Sequence, residues 1–164
     1  MPLPPIPLPM SKEVKKARAE RLIGIIRGKA FRLLAEQRGE YDPIALTIDA
    51  QERLGIVALY DGNEFPRRDE ALIGLQGELR ILAAQNKFEA AATAHDIRIK
   101  MPEGAEDINA VCVQYEARGE SPLKIYFPYS IKRKLMGNSE VDPGEAITQR
   151  GSNIIFVGEG RESG

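Results

Sequence analysis

The chain has 164 residues, 43% of them hydrophobic and 29% charged, with 23 Lys or Arg against 24 Asp or Glu. That length suits one domain able to bury a core without staples, and the balance excludes a disordered or membrane-dominated chain. One His and one Cys exclude an internal disulfide and a Cys/His zinc site, and no apolar run approaches the roughly 20 residues of a spanning helix.

Residues 1–10, MPLPPIPLPM, carry five prolines and predict a flexible, extended arm, because each proline fixes φ and lacks an amide donor. The arm lacks the charged start and continuous apolar core of a secretory signal, so a cytoplasmic location is expected. Its Pro-x-x-Pro spacing also suits an aromatic groove. Ser11 then caps a helix over 12–37 that ends at Gly39, with Leu22, Ile26, Ala30 and Leu33 along its buried face and Ile23 and Leu34 beside them. Ile25 and Phe31 lie off that face and offer apolar surface to a partner.

The stretch IALTIDA alternates Ile44, Leu46 and Ile48 inward, and LGIVALY follows after a short turn. Pairing Ile48 with Leu54 makes an antiparallel hairpin whose apolar sets share one face. A second helix over 69–84 presents Leu72, Leu75, Leu79 and Leu82 as a seam, and Gln85 and Asn86 end it. Three strands follow. The first sets Ala91, Thr93, His95, Ile97 and Ile99 on one face and Asp96 and Arg98 on the other; the next two bury Val111, Val113 and Tyr115, then Leu123, Ile125 and Phe127. The short turn at 118–122 pairs Tyr115 with Ile125.

Residues 11–130 therefore read as one α+β domain in the order α-β-β-α-β-β-β, with an antiparallel or mixed sheet of about five strands and two main helices. Roadblock-like and profilin-like modules have a similar element order. Residues 131–164 read as an irregular extension, with 153–157 either a short strand or a docked tail.

The stretches LTIDAQERLGIVALYDG, TAHDIRIKMPEGAEDINAVCVQYEARGE and LKIYFPY resemble a group of uncharacterised bacterial α+β proteins over about residues 40–130. The resemblance implies a strand–strand–helix–strand–strand–strand layout. It implies no activity, cofactor or catalytic residue.

Residues 12–32 hold eight Lys or Arg against two Glu, a local charge of +6 that leaves −7 on the rest of a chain of net charge −1. Arg18, Arg21, Lys29 and Arg32 fall near one helical line, a stripe suited to phosphates or an acidic protein surface. Aromatic residues do not interleave with these bases as stacking on nucleic acid would require. The leading expectation is a non-enzymatic interaction or regulatory module that self-associates or binds a protein partner through this helix and the arm. On that reading Arg18→Glu with Arg21→Glu weakens association and spares the fold. Nucleic-acid binding through the same helix is the second expectation, and a small hydrolase or transferase centred on His95 and Cys112 the third.

His95 precedes Asp96, but neighbouring strand residues face opposite ways, so this carboxylate does not orient this imidazole. Cys112 shares a face with Glu116, an acid that would keep its thiol protonated. Asp49, Asp61, Asp142 and Glu145 do not match a calcium-loop spacing, and 158–160 lacks a dinucleotide-loop context. No cofactor and no metal are expected.

Overall fold

The computed structural model describes residues 11–36, 41–57, 68–132, 137 and 140–157. The expected arm at 1–10, the acid Asp61 and the glycines at 158 and 160 lie outside them. Helix α1 (Lys12–Glu36) starts where Ser11 Oγ accepts the Val14 amide at 3.2 Å, satisfying one otherwise orphaned donor of the first turn. Its buried line is Ala19, Leu22, Ile26, Ala30 and Leu34. Leu34 takes the place expected of Leu33 because from Leu22 onward the line runs in steps of four.

Strands β1 (Ile44–Ile48) and β2 (Leu54–Val57) form the expected hairpin, with Ile48 opposite Leu54. The turn is held by Asp49, whose Oδ1 accepts the amides of Gln51 and Arg53 and whose Oδ2 accepts Arg53 Nε at 2.7 Å. These bonds hold the Asp49 carboxyl below its ordinary range and mark it as a turn former.

Helix α2 (Arg68–Ala84) closes on Asn86, which takes φ of 57° while the Lys87 amide reaches back to the Leu82 carbonyl at 3.0 Å. Strands β3 (Ala90–Ile99), β4 (Ile108–Ala117) and β5 (Leu123–Lys132) follow as a meander. The β4–β5 register sets Tyr115 opposite Leu123 and Val113 opposite Ile125. That is two residues from the expected pairing, and an even shift leaves every side chain on its face.

Two further strands occupy the stretch expected to wander: β6 (Glu140–Pro143) and β7 (Ile147–Arg150). The antiparallel sheet runs β2-β1-β3-β4-β5-β6, and β7 pairs the first part of the β5 edge while β6 pairs the last. Neither displays an alternating apolar set, so their pairing rests on backbone hydrogen bonds to β5. Residues 153–157 are a docked tail and not a strand.

The helices cover opposite faces. Against α1 lie Leu46, Ile48, Ala92, Ala94, Val111, Val113 and Tyr115, while Leu75, Leu79 and Ala83 of α2 meet Ala45, Ala91, Phe88, Ile155 and Phe156. Strand β3 is central, and its run Ala90-Ala91-Ala92-Thr93-Ala94 is buried throughout. Small side chains there let both helices approach the sheet, which is why the strand lacks a polar face.

The tail is fixed by one buried acid. Glu116, 2% exposed, accepts the backbone amides of Ile154, Ile155 and Phe156 at 2.8, 2.9 and 3.4 Å. Arg118 adds a clamp, donating to the carbonyls of Ala83 and Phe88 and lying 4.9 Å from the Phe156 ring centroid. Among the described residues, no helix is long and apolar enough to cross a membrane.

Candidate functional site

The charged residues of α1 divide into three environments. Arg18 points inward and pairs with Glu120 at 2.5 Å, with only 10% and 15% of the two side chains exposed. It is therefore committed within the chain, unlike Arg21 and Arg32, which are exposed, and Lys29, which is half-buried. The expected stripe of Arg18, Arg21, Lys29 and Arg32 thus loses its first member to the fold.

Arg27 was not singled out by helical spacing, yet it has the most distinctive setting of these cations. Its guanidinium lies 4.7 Å from the Phe31 centroid and 5.2 Å from that of Phe127. Phe31 is one helical turn away at i+4, which is a sequence signal for such a stack; Phe127 comes from β5, which local spacing does not reveal. No carboxylate among the described residues pairs with Arg27, although the side chain is half-buried.

Arg27 stands at one end of a groove of about 840 Å³ between α1 and the β5–β7 side of the sheet. Its floor is Ala19, Ile23 and Gly24 of α1 with Tyr115, Leu123, Ile125 and Phe127 of the sheet, and Lys15 and Lys16 stand near the other end. Of the two acids on its rim, Glu20 lies 3.9 Å from Lys16 and Glu120 holds Arg18. That leaves Lys15 and Arg27 as charges without an opposite partner among the described residues, at an apolar floor. Ile25 and Phe31, expected to offer surplus surface, pack against the core, with Phe31 edge-on to Tyr129 at 6.5 Å.

On the other face of the sheet, His95 sits directly opposite Cys112, and Cys112 opposite Tyr126. The two residues of the third expectation are thus neighbours across β3 and β4. Burial, helped by the charge of Lys124, depresses the imidazole to about 4, and burial pushes the Cys112 thiol up to about 11 against the pull of Lys124 and Gln114. Both shifts favour the neutral, unreactive forms near pH 7, the reverse of an activated thiolate beside an imidazolium. His95 Nδ1 is buried without a hydrogen-bond partner among the described residues, so no carboxylate there orients the ring as a general base would need. Glu116, the acid expected to perturb Cys112, is instead engaged with the tail amides.

No family model, curated protein or solved structure matches the chain.

Asp96, next to His95, faces α1 and accepts the Tyr129 hydroxyl at 2.6 Å. Among the described residues no three His, Cys, Asp or Glu side chains gather as a metal site would need. Cys112 is 1% exposed. Alkylation of the native protein by iodoacetamide near neutral pH is expected to proceed only as fast as the β3–β4 region opens, and to become rapid in denaturant. Rapid native labelling, followed by loss of signal in Cys112→Ser, would restore the reactive-thiol reading.

Proposed function

We propose that this protein is an interaction module that docks an acidic, amphipathic segment of a protein partner in the groove between α1 and β5. The observation that carries the reading is Arg27, a half-buried cation stacked on Phe31 and Phe127 with no carboxylate partner among the described residues. Partial burial makes an unpaired charge costly, so a carboxylate delivered by a ligand gains more here than at an open surface. Lys15 repeats the demand near the other end.

Shape narrows the ligand class. From Lys15 to Arg27 the groove follows about 18 Å of helix axis, the length of roughly twelve helical residues. It is open along one side, whereas a single acyl chain or small molecule is usually held with most of its surface enclosed. An amphipathic helix laid lengthwise buries its apolar face and leaves its polar face in water.

The test uses three synthetic amphipathic helices of equal apolar face, with acidic, neutral or basic rims, titrated by fluorescence anisotropy. The acidic helix is expected to bind tightest, and Arg27→Glu to weaken it on the order of tenfold or more, while Arg21→Glu leaves it unchanged. Equal binding of all three helices, or equal loss in the two variants, would sink the proposal. If duplex or single-stranded nucleic acid binds instead, with affinity falling steeply with salt and lost in Arg21→Glu with Arg32→Glu, the outer basic face is the site.

A further inference from the structure

Helix α2 is apolar on two sides. Ala71, Leu75, Leu79 and Ala83 recur in steps of four and are buried, while Ile73 and Ile81 of the opposite side leave 69% and 55% of their surfaces exposed. At about 100° per residue, Gly77 lies diametrically opposite the middle of the buried line, with Ile73 four residues before it and Ile81 four after. A Cβ added at Gly77 would meet nothing within 4 Å, and this glycine is not among those of positive φ. Neither packing inside the chain nor backbone conformation asks for glycine there, where alanine would favour the helix.

The arrangement is self-complementary. Two α2 helices set antiparallel about a two-fold axis at Gly77 bring Ile73 of one copy against Ile81 of the other, and the reverse, around a hollow at the axis. Glu78 then falls opposite Gln76, and Arg80 opposite Gly74, so like charges do not meet. Arg80 is further occupied by donating to the Ile154 carbonyl at 3.0 Å. The outer side of α1 offers a contrast. Gly24 and Gly28 are equally open, but among the large apolar side chains of α1 it is Val14, far from these glycines, that is exposed, so pairing two α1 helices about the point between them brings no isoleucine pair together.

We infer that the protein forms a two-fold symmetric homodimer through the outer face of α2, with Gly77 at the axis. The lack of a side chain there lets the helix backbones close while each isoleucine packs beside its counterpart, and a two-fold contact uses the same patch on both copies. Helices α1 and α2 lie on opposite faces of the sheet, so the groove beside α1 stays open in the dimer. The inference therefore stands or falls separately from the groove.

Sedimentation equilibrium of the full chain tests it. The expected mass is twice 18.1 kDa, falling to 18.1 kDa in Ile73→Lys with Ile81→Lys while the circular dichroism spectrum is unchanged. Under mild oxidation Gly77→Cys is expected to give a disulfide-linked dimer and Gly28→Cys none, because only the former places two Cβ atoms near a shared axis. The cross-link is read with both isoleucines intact, so it decides the matter even if the lysine pair lowers stability. A monomeric wild type, a dimer that persists in the folded lysine variant, or cross-linking at Gly28 and not at Gly77 would overturn the inference.

Discussion

Replacing Arg18 with glutamate is expected to lower stability by about 3–5 kcal/mol, because removing one partner of a buried pair strands the other charge. The pair is Arg18 with Glu120, whose side chains are 10% and 15% exposed. The variant goes further than removal by setting two carboxylates together beside the buried Tyr115. Arg21, one helical turn on, is exposed, and Arg21→Glu should change stability by no more than about 0.5 kcal/mol. Urea unfolding of the two single variants at neutral pH separates these outcomes by several-fold in effect. If Arg18→Glu matches wild type, the ion pair is not the anchor described here. Placing both reversals in one protein and reading a loss of association would confuse unfolding with loss of a binding charge. Arg27→Glu is the cleaner probe of the cationic surface, since no ion pair within the described chain depends on it.

This difference shows where local sequence was informative and where it was not. The Ser11 cap, the Leu22, Ile26 and Ala30 steps of α1 and the pairing of Ile48 with Leu54 are all near-neighbour facts, and spacing rules read them correctly. The alternation expected of β1 is not what decides its burial, because Ala45 and Thr47, on the side away from α1, are buried as well. The partner of Arg18 lies 102 residues away, and although Arg18 stands four residues before Leu22 on the buried line of α1 and Arg21 does not, helical spacing says nothing of which acid meets it. Strands β6 and β7 escaped for a different reason. Their residues are nearly all exposed and lack a period of two, since what holds them is the edge of β5 and not a buried face. The alanine run of β3 likewise gives no amphipathic signal because both of its faces are covered. For the candidate groove, the i to i+4 spacing of Arg27 and Phe31 was visible in principle, but Phe127 and the apolar floor from the sheet belong to tertiary packing. That His95 and Cys112 could approach each other was legible, because consecutive strands tend to pair; the register that sets them directly opposite was not. Their protonation was not, because it depends on how thoroughly the surrounding layers exclude water.

Exclusion of water gives His95 the second large effect. The folded chain keeps the imidazole neutral down to about pH 4, whereas an unhindered histidine takes its proton near 6.5. Between those values the unfolded chain binds more protons than the folded one, so stability from this group is complete above 6.5 and falls as the pH drops towards 4. At about 1.4 kcal/mol for each pH unit, the loss approaches 3 kcal/mol at the lower end. Glu116 acts in the opposite sense. Burial raises its carboxyl despite the amides of Ile154, Ile155 and Phe156, so acidification favours the folded state at that position and the whole-protein slope understates the histidine. His95→Gln isolates the effect, since glutamine does not titrate and approximates the imidazole in size. Urea midpoints compared at about pH 7 and about pH 4.5 should show wild type losing roughly 2–3 kcal/mol more than His95→Gln. Parallel losses would mean that the imidazole is hydrated or paired in the folded chain, and would reopen its pairing with Cys112 as a place for proton transfer.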